Sequence, residues 1–90
     1  MYDLHIHKNA TKYLQKTPKR IREKAFECIL HLKKHGTENC PYPIRILQGK
    51  FKKFEYFETK IDKDYRIIFR TEADKLYIRS AGTHNKLGTG

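Results

Sequence analysis

The chain has 90 residues, which is the length of one domain with a modest core, so residues 1–90 are interpreted as a single domain. Twenty Lys and Arg side chains against ten Asp and Glu give a formal net charge of +10. A domain this small excludes a large enclosed pocket, and no apolar run approaches the ~20 residues of a membrane span. The N-terminus lacks a signal-peptide pattern, so we expect a cytoplasmic protein.

The positive charge is unevenly distributed. Residues 1–53 hold 13 basic and 4 acidic side chains, whereas residues 54–90 hold 7 and 6. So strong an excess favours polyanionic partners, because cations that bind a phosphate backbone release its counterions. RNA, DNA, the ribosome and acidic proteins all fit this charge, and a purely solubilising role is the alternative.

The two cysteines do not indicate a disulfide framework. Cys28, His31, His35 and Cys40 have a loosely zinc-like spacing. Cys28, however, falls on the apolar stripe of a predicted helix. We therefore interpret it as a small buried thiol and predict no metal site.

The N-terminal half predicts one strand and two helices. Residues 2–7 alternate between apolar and polar side chains, which is the period of a half-buried strand with its histidines on the surface. A short helix is predicted over residues 10–15, with Asn9 as its N-cap. A second helix is predicted from Pro18, capped by Thr17, to Gly36. Its apolar stripe comprises Ile21, Ala25, Phe26, Cys28, Ile29, Leu30 and Leu32.

The C-terminal half predicts a loop over residues 37–43 and then four strands, at 44–47, 54–61, 65–71 and 75–81. Tight turns at 62–64 and 72–74 join the last three strands as antiparallel hairpins. The order is β-α-α-β-β-β-β. It predicts an α+β fold in which two N-terminal helices pack on one face of a twisted, mainly antiparallel sheet.

A candidate anion site lies on the uncovered face of this sheet. Alternation places Lys60 and Arg66 on that face, and the tight turn between their strands brings them close together. Two adjacent cations repel each other unless an anion comes between them, so we interpret the pair as a phosphate site. The alternative is ordinary ion pairing with the nearby carboxylates, Glu58 or Asp62 for Lys60 and Asp74 or Glu72 for Arg66.

Two further groups extend this candidate site. His84 follows Gly82, which allows the chain to turn back, and a histidine transfers protons near pH 7. A solvated His84 is the alternative. Basic side chains in a basic-aromatic turn and on the last strand are interpreted as contacts to an RNA backbone; they are Lys50, Lys52, Lys53 and Arg79.

Three motifs carry a resemblance to a known family: Leu47-x-Gly49-x-x-Lys52, the run Asp-Tyr-Arg-Ile-Ile-Phe at residues 64–69, and Gly82-x-His84. With them the chain resembles the RelE/ParE superfamily of type II toxins over nearly its whole length. The Gly82-Thr83-His84 triplet is most similar to the YafQ-type branch. The resemblance implies a RelE-like fold and a ribosome-dependent mRNA endoribonuclease that works without a metal by 2′-hydroxyl attack on the adjacent phosphate.

The resemblance also implies roles for four residues. Arg66 would support the transition-state phosphate, and His84 would donate a proton, with Asp64 orienting it or helping. Lys60 would stabilise the activated 2′ oxygen or help deprotonate it. Asp64 matches an acidic position of the YafQ-type branch. The chain departs from that branch at Lys60, where a histidine is usual, and at Gly88, where an aromatic is usual.

The expected protein is therefore the toxin of a toxin–antitoxin pair, with no cofactor. Its expected partners are a cognate antitoxin, the ribosome with its mRNA and, through the antitoxin, operator DNA; no membrane partner is expected. Two alternatives remain open. One is a ParE-like inhibitor of DNA gyrase, and the other is a non-catalytic toxin fold that only binds nucleic acid.

Overall fold

The computed structural model describes residues 1–47 and 55–83. Its elements follow the predicted order. They are β1 (Asp3–Ile6), α1 (Lys8–Lys16), α2 (Lys19–His35), β2 (Ile44–Ile46), β3 (Phe57–Asp62), β4 (Tyr65–Glu72) and β5 (Lys75–Thr83). The predicted α+β class is confirmed. In the part of the chain described, no helix has the length and apolar character needed to cross a membrane.

The five strands form one sheet in the order β1-β5-β4-β3-β2. β1 runs parallel to β5, and every other neighbouring pair is antiparallel. Both helices pack on the same face, α1 against β5 and α2 against β3. The buried core between helices and sheet includes Ala10, Leu14, Ala25, Cys28, Ile29, Leu32, Ile67, Phe69, Leu76 and Ile78.

Strand alternation sorts side chains between this core and the opposite face of the sheet, here called the open face. The open face carries Asp3, His5, Arg45, Glu58, Lys60, Arg66, Ile68, Arg70, Glu72, Tyr77 and Ser80. A β-bulge interrupts the alternation in β5, because Ile68 pairs with Ser80 and Phe69 with Ile78, which leaves Arg79 as the extra residue. The bulge lets Ile78 and Ala81, three residues apart, both reach the core.

The helix N-termini differ from the prediction. The cap of α1 is His7, whose Nδ1 accepts the backbone N–H of Asn9 at 3.1 Å, so Asn9 is not the cap. Thr17 does not cap α2 either. It is the C-cap of α1, and Pro18 takes the N-cap position of α2 without a side-chain hydrogen bond. At the other end, Gly36 closes α2 with φ 66°, as predicted.

Thr17 links α1 to the sheet instead. Its hydroxyl donates to the carbonyl of Tyr13 at 2.7 Å. Because a hydroxyl has one proton, the 2.8 Å contact between the Thr17 and Tyr65 oxygens must be donated by Tyr65. Burial raises the pKa of Tyr65. The beginning of β4, where the Tyr65-Arg66 step lies, is thereby fixed to the end of α1.

The apolar stripe of α2 is narrower than predicted. Phe26 is 43% exposed and Leu30 is 52% exposed, although both were expected to widen the buried face. The helix packs on the sheet through a narrow buried face. This face is formed by Ala25, Cys28, Ile29 and Leu32. An exposed apolar strip therefore remains on the outer side of α2.

We expect Thr17→Val to lower the free energy of unfolding by about 1–2 kcal/mol, because it leaves the buried Tyr65 hydroxyl without its acceptor. Urea denaturation measures this difference. Thr11→Val on the exposed side of α1 is the matched control, with an expected change below about 0.5 kcal/mol. Equal stabilities of the two variants would show that the Thr17–Tyr65 contact does not hold α1 to the sheet.

Candidate functional site on the open face

Lys60 and Arg66 lie directly opposite each other on β3 and β4, as predicted. The hairpin between them turns at Lys63 and Asp64. Lys60 is exposed, whereas the side chain of Arg66 is only 14% exposed. The pair therefore combines an accessible ammonium group with a guanidinium held close to the sheet.

A buried carboxylate lies beside this pair. Glu58 is 4% exposed, and its Oε1 accepts a hydrogen bond from Arg45 Nε at 2.9 Å. The same oxygen lies 3.7 Å from Arg66 Nε. Its second oxygen, Oε2, has no hydrogen-bond donor among the described residues. Glu58 thus joins Arg45 of β2 to Arg66 of β4 across the intervening strand.

The ion pairs are not those that the sequence suggested as alternatives for Lys60 and Arg66. Glu58 pairs with the two arginines and not with Lys60. Asp62 lies within 3.6 Å of both Arg20 and Lys24 on α2. Burial by itself would raise the pKa of Asp62, but a hydrogen bond from the Lys63 backbone and the charges of Lys24 and Arg20 lower it below the ordinary value. Asp62 is therefore a link between sheet and helix.

Arg70, rather than Arg66, pairs with Glu72. Its Nη1 lies 2.6 Å from Glu72 Oε1. Its guanidinium also lies over the ring of Tyr77, 4.1 Å from the centroid. Burial alone would lower the pKa of Arg70, and hydrogen bonds to Glu72 and Tyr56 outweigh it and raise that pKa. The guanidinium of Arg70 is thus held in one place by a carboxylate and an aromatic ring.

The row continues to the edge of the sheet. His5 of β1 pairs in register with Tyr77 of β5, and their rings stack with centroids 5.2 Å apart and planes inclined by 24°. His5 Nε2 lies 3.3 Å from Asp3 Oδ2. The group of His5, Tyr77 and Arg70 is called the stacking row below.

The other predicted site residues are divided between described and undescribed parts of the chain. Asp64 lies exposed in the β3–β4 turn, and Arg79 is exposed at the bulge of β5. Gly82 pairs with Arg66, so β5 presents no side chain next to the guanidinium at that position. Lys50, Lys52, Lys53, His84 and Gly88 lie outside the described residues.

The four residues with zinc-like spacing do not form a metal site. Cys28 is buried and its thiol donates to Thr59 Oγ1 at 3.9 Å. Burial, together with the neighbouring Cys40, raises the pKa of Cys28 to about 12, which makes it an inert core thiol. His31 Nε2 donates to the carbonyl of Glu38 at 2.7 Å. Within residues 1–47 and 55–83, no three His, Cys, Asp or Glu side chains are arranged to hold a metal ion.

Sequence reasoning missed Arg45 and the stacking row, and it considered Glu58 only as an ion-pair partner of Lys60. Strand alternation places Glu58 on the same face as Lys60. A carboxylate on a face that also carries cations was the available signal for a buried ion pair. The stacking row gave no such signal, because His5, Arg70 and Tyr77 come from three separate strands.

We expect Glu58→Leu to destabilise the fold by about 3 kcal/mol, because Glu58 is itself buried and its removal takes a carboxylate from two arginines, Arg45 and Arg66. Glu72→Leu is the matched control. Glu72 is 57% exposed and Arg70 keeps its hydrogen bond to Tyr56, so the expected cost is below about 1 kcal/mol. Chemical denaturation of both variants checks the difference, and a Glu58→Leu protein as stable as the control would contradict the proposed buried pairing.

Comparisons with known proteins complete the description of this site. No protein-family pattern matches the chain. A search of curated proteins found no match either. Solved structures do match.

YafQ from E. coli strain BL21(DE3) is 21% identical with a TM-score of 0.81, and the alignment covers 97% of this chain and 98% of YafQ. The E. coli DinJ–YafQ toxin–antitoxin complex contains a chain that is 23% identical, with a TM-score of 0.76 and 96% coverage of both chains. RelE of the RelE–RelB complex from Pyrococcus horikoshii OT3 is 21% identical, with a TM-score of 0.76 and coverage of 94% and 97%. The chain therefore has the RelE-like fold, which it shares with YafQ and with the RelE–RelB complex.

Proposed function

We propose that this protein is the toxin of a type II toxin–antitoxin pair and cleaves mRNA on the ribosome. One observation carries the proposal: Lys60 and Arg66 form a cross-strand cation pair on the open face of a RelE-like sheet. Structures that share this fold include toxins solved with their antitoxins. The net charge of +10 agrees with a polyanionic substrate.

The reaction proposed is attack of a 2′-hydroxyl on the adjacent phosphorus. The new O–P bond forms as the bond to the 5′ oxygen of the next nucleotide breaks. Negative charge develops on the phosphate oxygens, and a fixed cation stabilises it more in the transition state than in the ground state. The products are a 2′,3′-cyclic phosphate and a 5′-hydroxyl.

Arg66 is proposed to bind the phosphate oxygens. Glu58 Oε1 lies 3.7 Å from Arg66 Nε, and a guanidinium carries five N–H donors, so one Arg can interact with a protein carboxylate and a substrate phosphate together. Lys60, opposite Arg66 and exposed, is proposed to stabilise the 2′ oxygen as its proton passes to water, or to help remove that proton itself. Because the sheet fixes both groups, little reorganisation is needed when charge develops.

Proton transfer is assigned to His84, with Asp64 orienting it or assisting. The support comes from the sequence: His84 follows two residues after Gly82, and Gly82 pairs with Arg66. An imidazolium can donate a proton to the leaving 5′ oxygen near neutral pH. Lys50, Lys52, Lys53 and Arg79 are proposed to hold rRNA or mRNA backbone.

The proposed protein partner is an antitoxin with an acidic, amphipathic segment, which in turn would contact operator DNA. An apolar groove of about 330 Å³ between β1, α1 and α2 is suited to such a segment. Its floor includes Ile6 and Leu14, and Arg22 lies at its margin beside the exposed Phe26. Apolar side chains of the segment would fill the groove, and its carboxylates would face the basic helix surface.

Primer extension on an mRNA in a purified translation system tests the proposed reaction. We expect codon-positioned cuts that require ribosomes. His84→Ala and Lys60→Ala should each slow cleavage by about 100-fold or more, because they remove a proton donor and a cation at the developing charge.

Lys63→Ala is the matched control for Lys60→Ala, since Lys63 is also exposed and lies three residues away in the turn of the same hairpin. Its rate should equal that of the wild type. Intact mRNA at high concentrations of folded wild-type protein would contradict the nuclease proposal and favour inhibition of gyrase or simple nucleic-acid binding.

A further inference from the structure

We infer that the stacking row is a subsite for a nucleobase of single-stranded RNA, with His5 as the surface on which the base stacks. The inference rests on the proposed function, because it places the substrate strand on the open face. It adds a residue and a mode of recognition that the cation pair does not supply.

The three side chains of the row are planar and closely spaced. An imidazole, a phenol ring and a guanidinium lie side by side, with 5.2 Å between the first two centroids and 4.1 Å from the last ring to the guanidinium carbon. These are the separations at which aromatic rings and cations attract each other. Three planar groups at such spacing form a platform on which a further planar group can stack.

Charged neighbours hold both ends of the row. Asp3 contacts His5 Nε2, and Glu72 binds Arg70 Nη1. Each contact joins residues two apart on one strand, so the row is fixed within β1 and β4. A preorganised platform loses little conformational entropy when it binds a ligand.

The row is exposed at its His5 end. The side chain of His5 is 47% exposed, although it stacks on Tyr77 on its inner side. β1 is the edge strand of the sheet formed by the described residues, so none of these strands lies beyond His5. A base that stacks on the outer side of this imidazole would extend the row by one member.

The row lies within reach of an RNA strand bound at the cation pair. Arg70 is four residues from Arg66 on β4, roughly 13 Å along an extended strand, and His5 is two strands, about 10 Å, to the side of Arg70. A few nucleotides span that distance. A strand whose phosphate lies at Lys60 and Arg66 can therefore place a base a few nucleotides away on the outer side of His5.

The test is fluorescence anisotropy with a fluorescein-labelled RNA hexamer that carries 2′-O-methyl groups and so cannot be cleaved by 2′-hydroxyl attack. We expect His5→Ala to weaken binding on the order of tenfold, since one base loses its stacking surface. His5→Trp should tighten binding, because a larger ring offers more stacking area.

His35→Ala is the matched control, because it removes an exposed histidine on α2, away from the open face. Its affinity should be that of the wild type. The salt dependence of binding should be the same for His5→Ala and wild type, since the number of phosphate contacts is unchanged.

A second set of hexamers identifies the base. Each lacks the base at one position and keeps its sugar and phosphate. Removal of the stacked base should weaken binding to the wild type and have no effect on His5→Ala, so the two losses are not additive. Equal affinities of His5→Ala and His35→Ala, independent losses, or no binding by the wild type would overturn the inference.

The two proposals fail separately. If mRNA stays intact while His5→Ala still weakens hexamer binding, the cleavage proposal fails and the stacking subsite stands. If mRNA is cut while His5→Ala binds as tightly as His35→Ala, only the subsite fails.

Discussion

The open face of this protein depends on the buried carboxylate of Glu58. A carboxylate that is 4% exposed is stable only if cations and hydrogen bonds compensate its charge, and here Arg45 and Arg66 do so. Because these arginines come from β2 and β4, one carboxylate ties together three strands. The hairpin register places Arg66 opposite Lys60, and Glu58 adds an ion pair to Arg66 there. The candidate cation pair therefore lies beside an internal charge that the sheet must neutralise.

The rest of the fold supports this arrangement from the other face. The helices cover Ile67 and Phe69 on the core side of β4, and Thr17 of α1 holds Tyr65 at the start of the strand. Asp62 ties the end of β3 to α2. The strand segments that carry Lys60 and Arg66 are thus fixed by packing, hydrogen bonds and ion pairs. A rigid support of this kind keeps charged groups at the geometry that a transition state requires.

Periodicity was sufficient to predict the element order, the helix-covered face and the pairing of Lys60 with Arg66. Each of these depends on a pattern within one segment or on a tight turn between two strands. The errors have a different origin. Thr17 has the chemistry of an N-cap, but its hydroxyl is occupied by Tyr13 and Tyr65, and the second of these lies 48 residues away. Local propensity does not contain such a contact.

The candidate site shows the same division. Lys60 and Arg66 were predictable because a hairpin joins them, and Glu58 was accessible to the same logic. Its pairing with Arg45 was not, since β2 and β3 are separated by a long connection. The stacking row combines β1, β4 and β5, and only the register of the sheet brings these strands together. The likeness to RelE and YafQ establishes the fold, and the chemistry proposed for this face is the claim that remains to be measured.

The most direct measurement uses an mRNA with a single 2′-deoxynucleotide immediately 5′ to the scissile phosphate, presented on a translating ribosome. The 2′-hydroxyl at that position is the proposed nucleophile. We expect the all-ribose mRNA to be cut at this phosphate, with a 2′,3′-cyclic phosphate on the upstream product, and the deoxy-substituted mRNA to stay intact there. Equal cleavage of both mRNAs at this phosphate, or cleavage of neither, would contradict the proposal that the open face activates a 2′-hydroxyl.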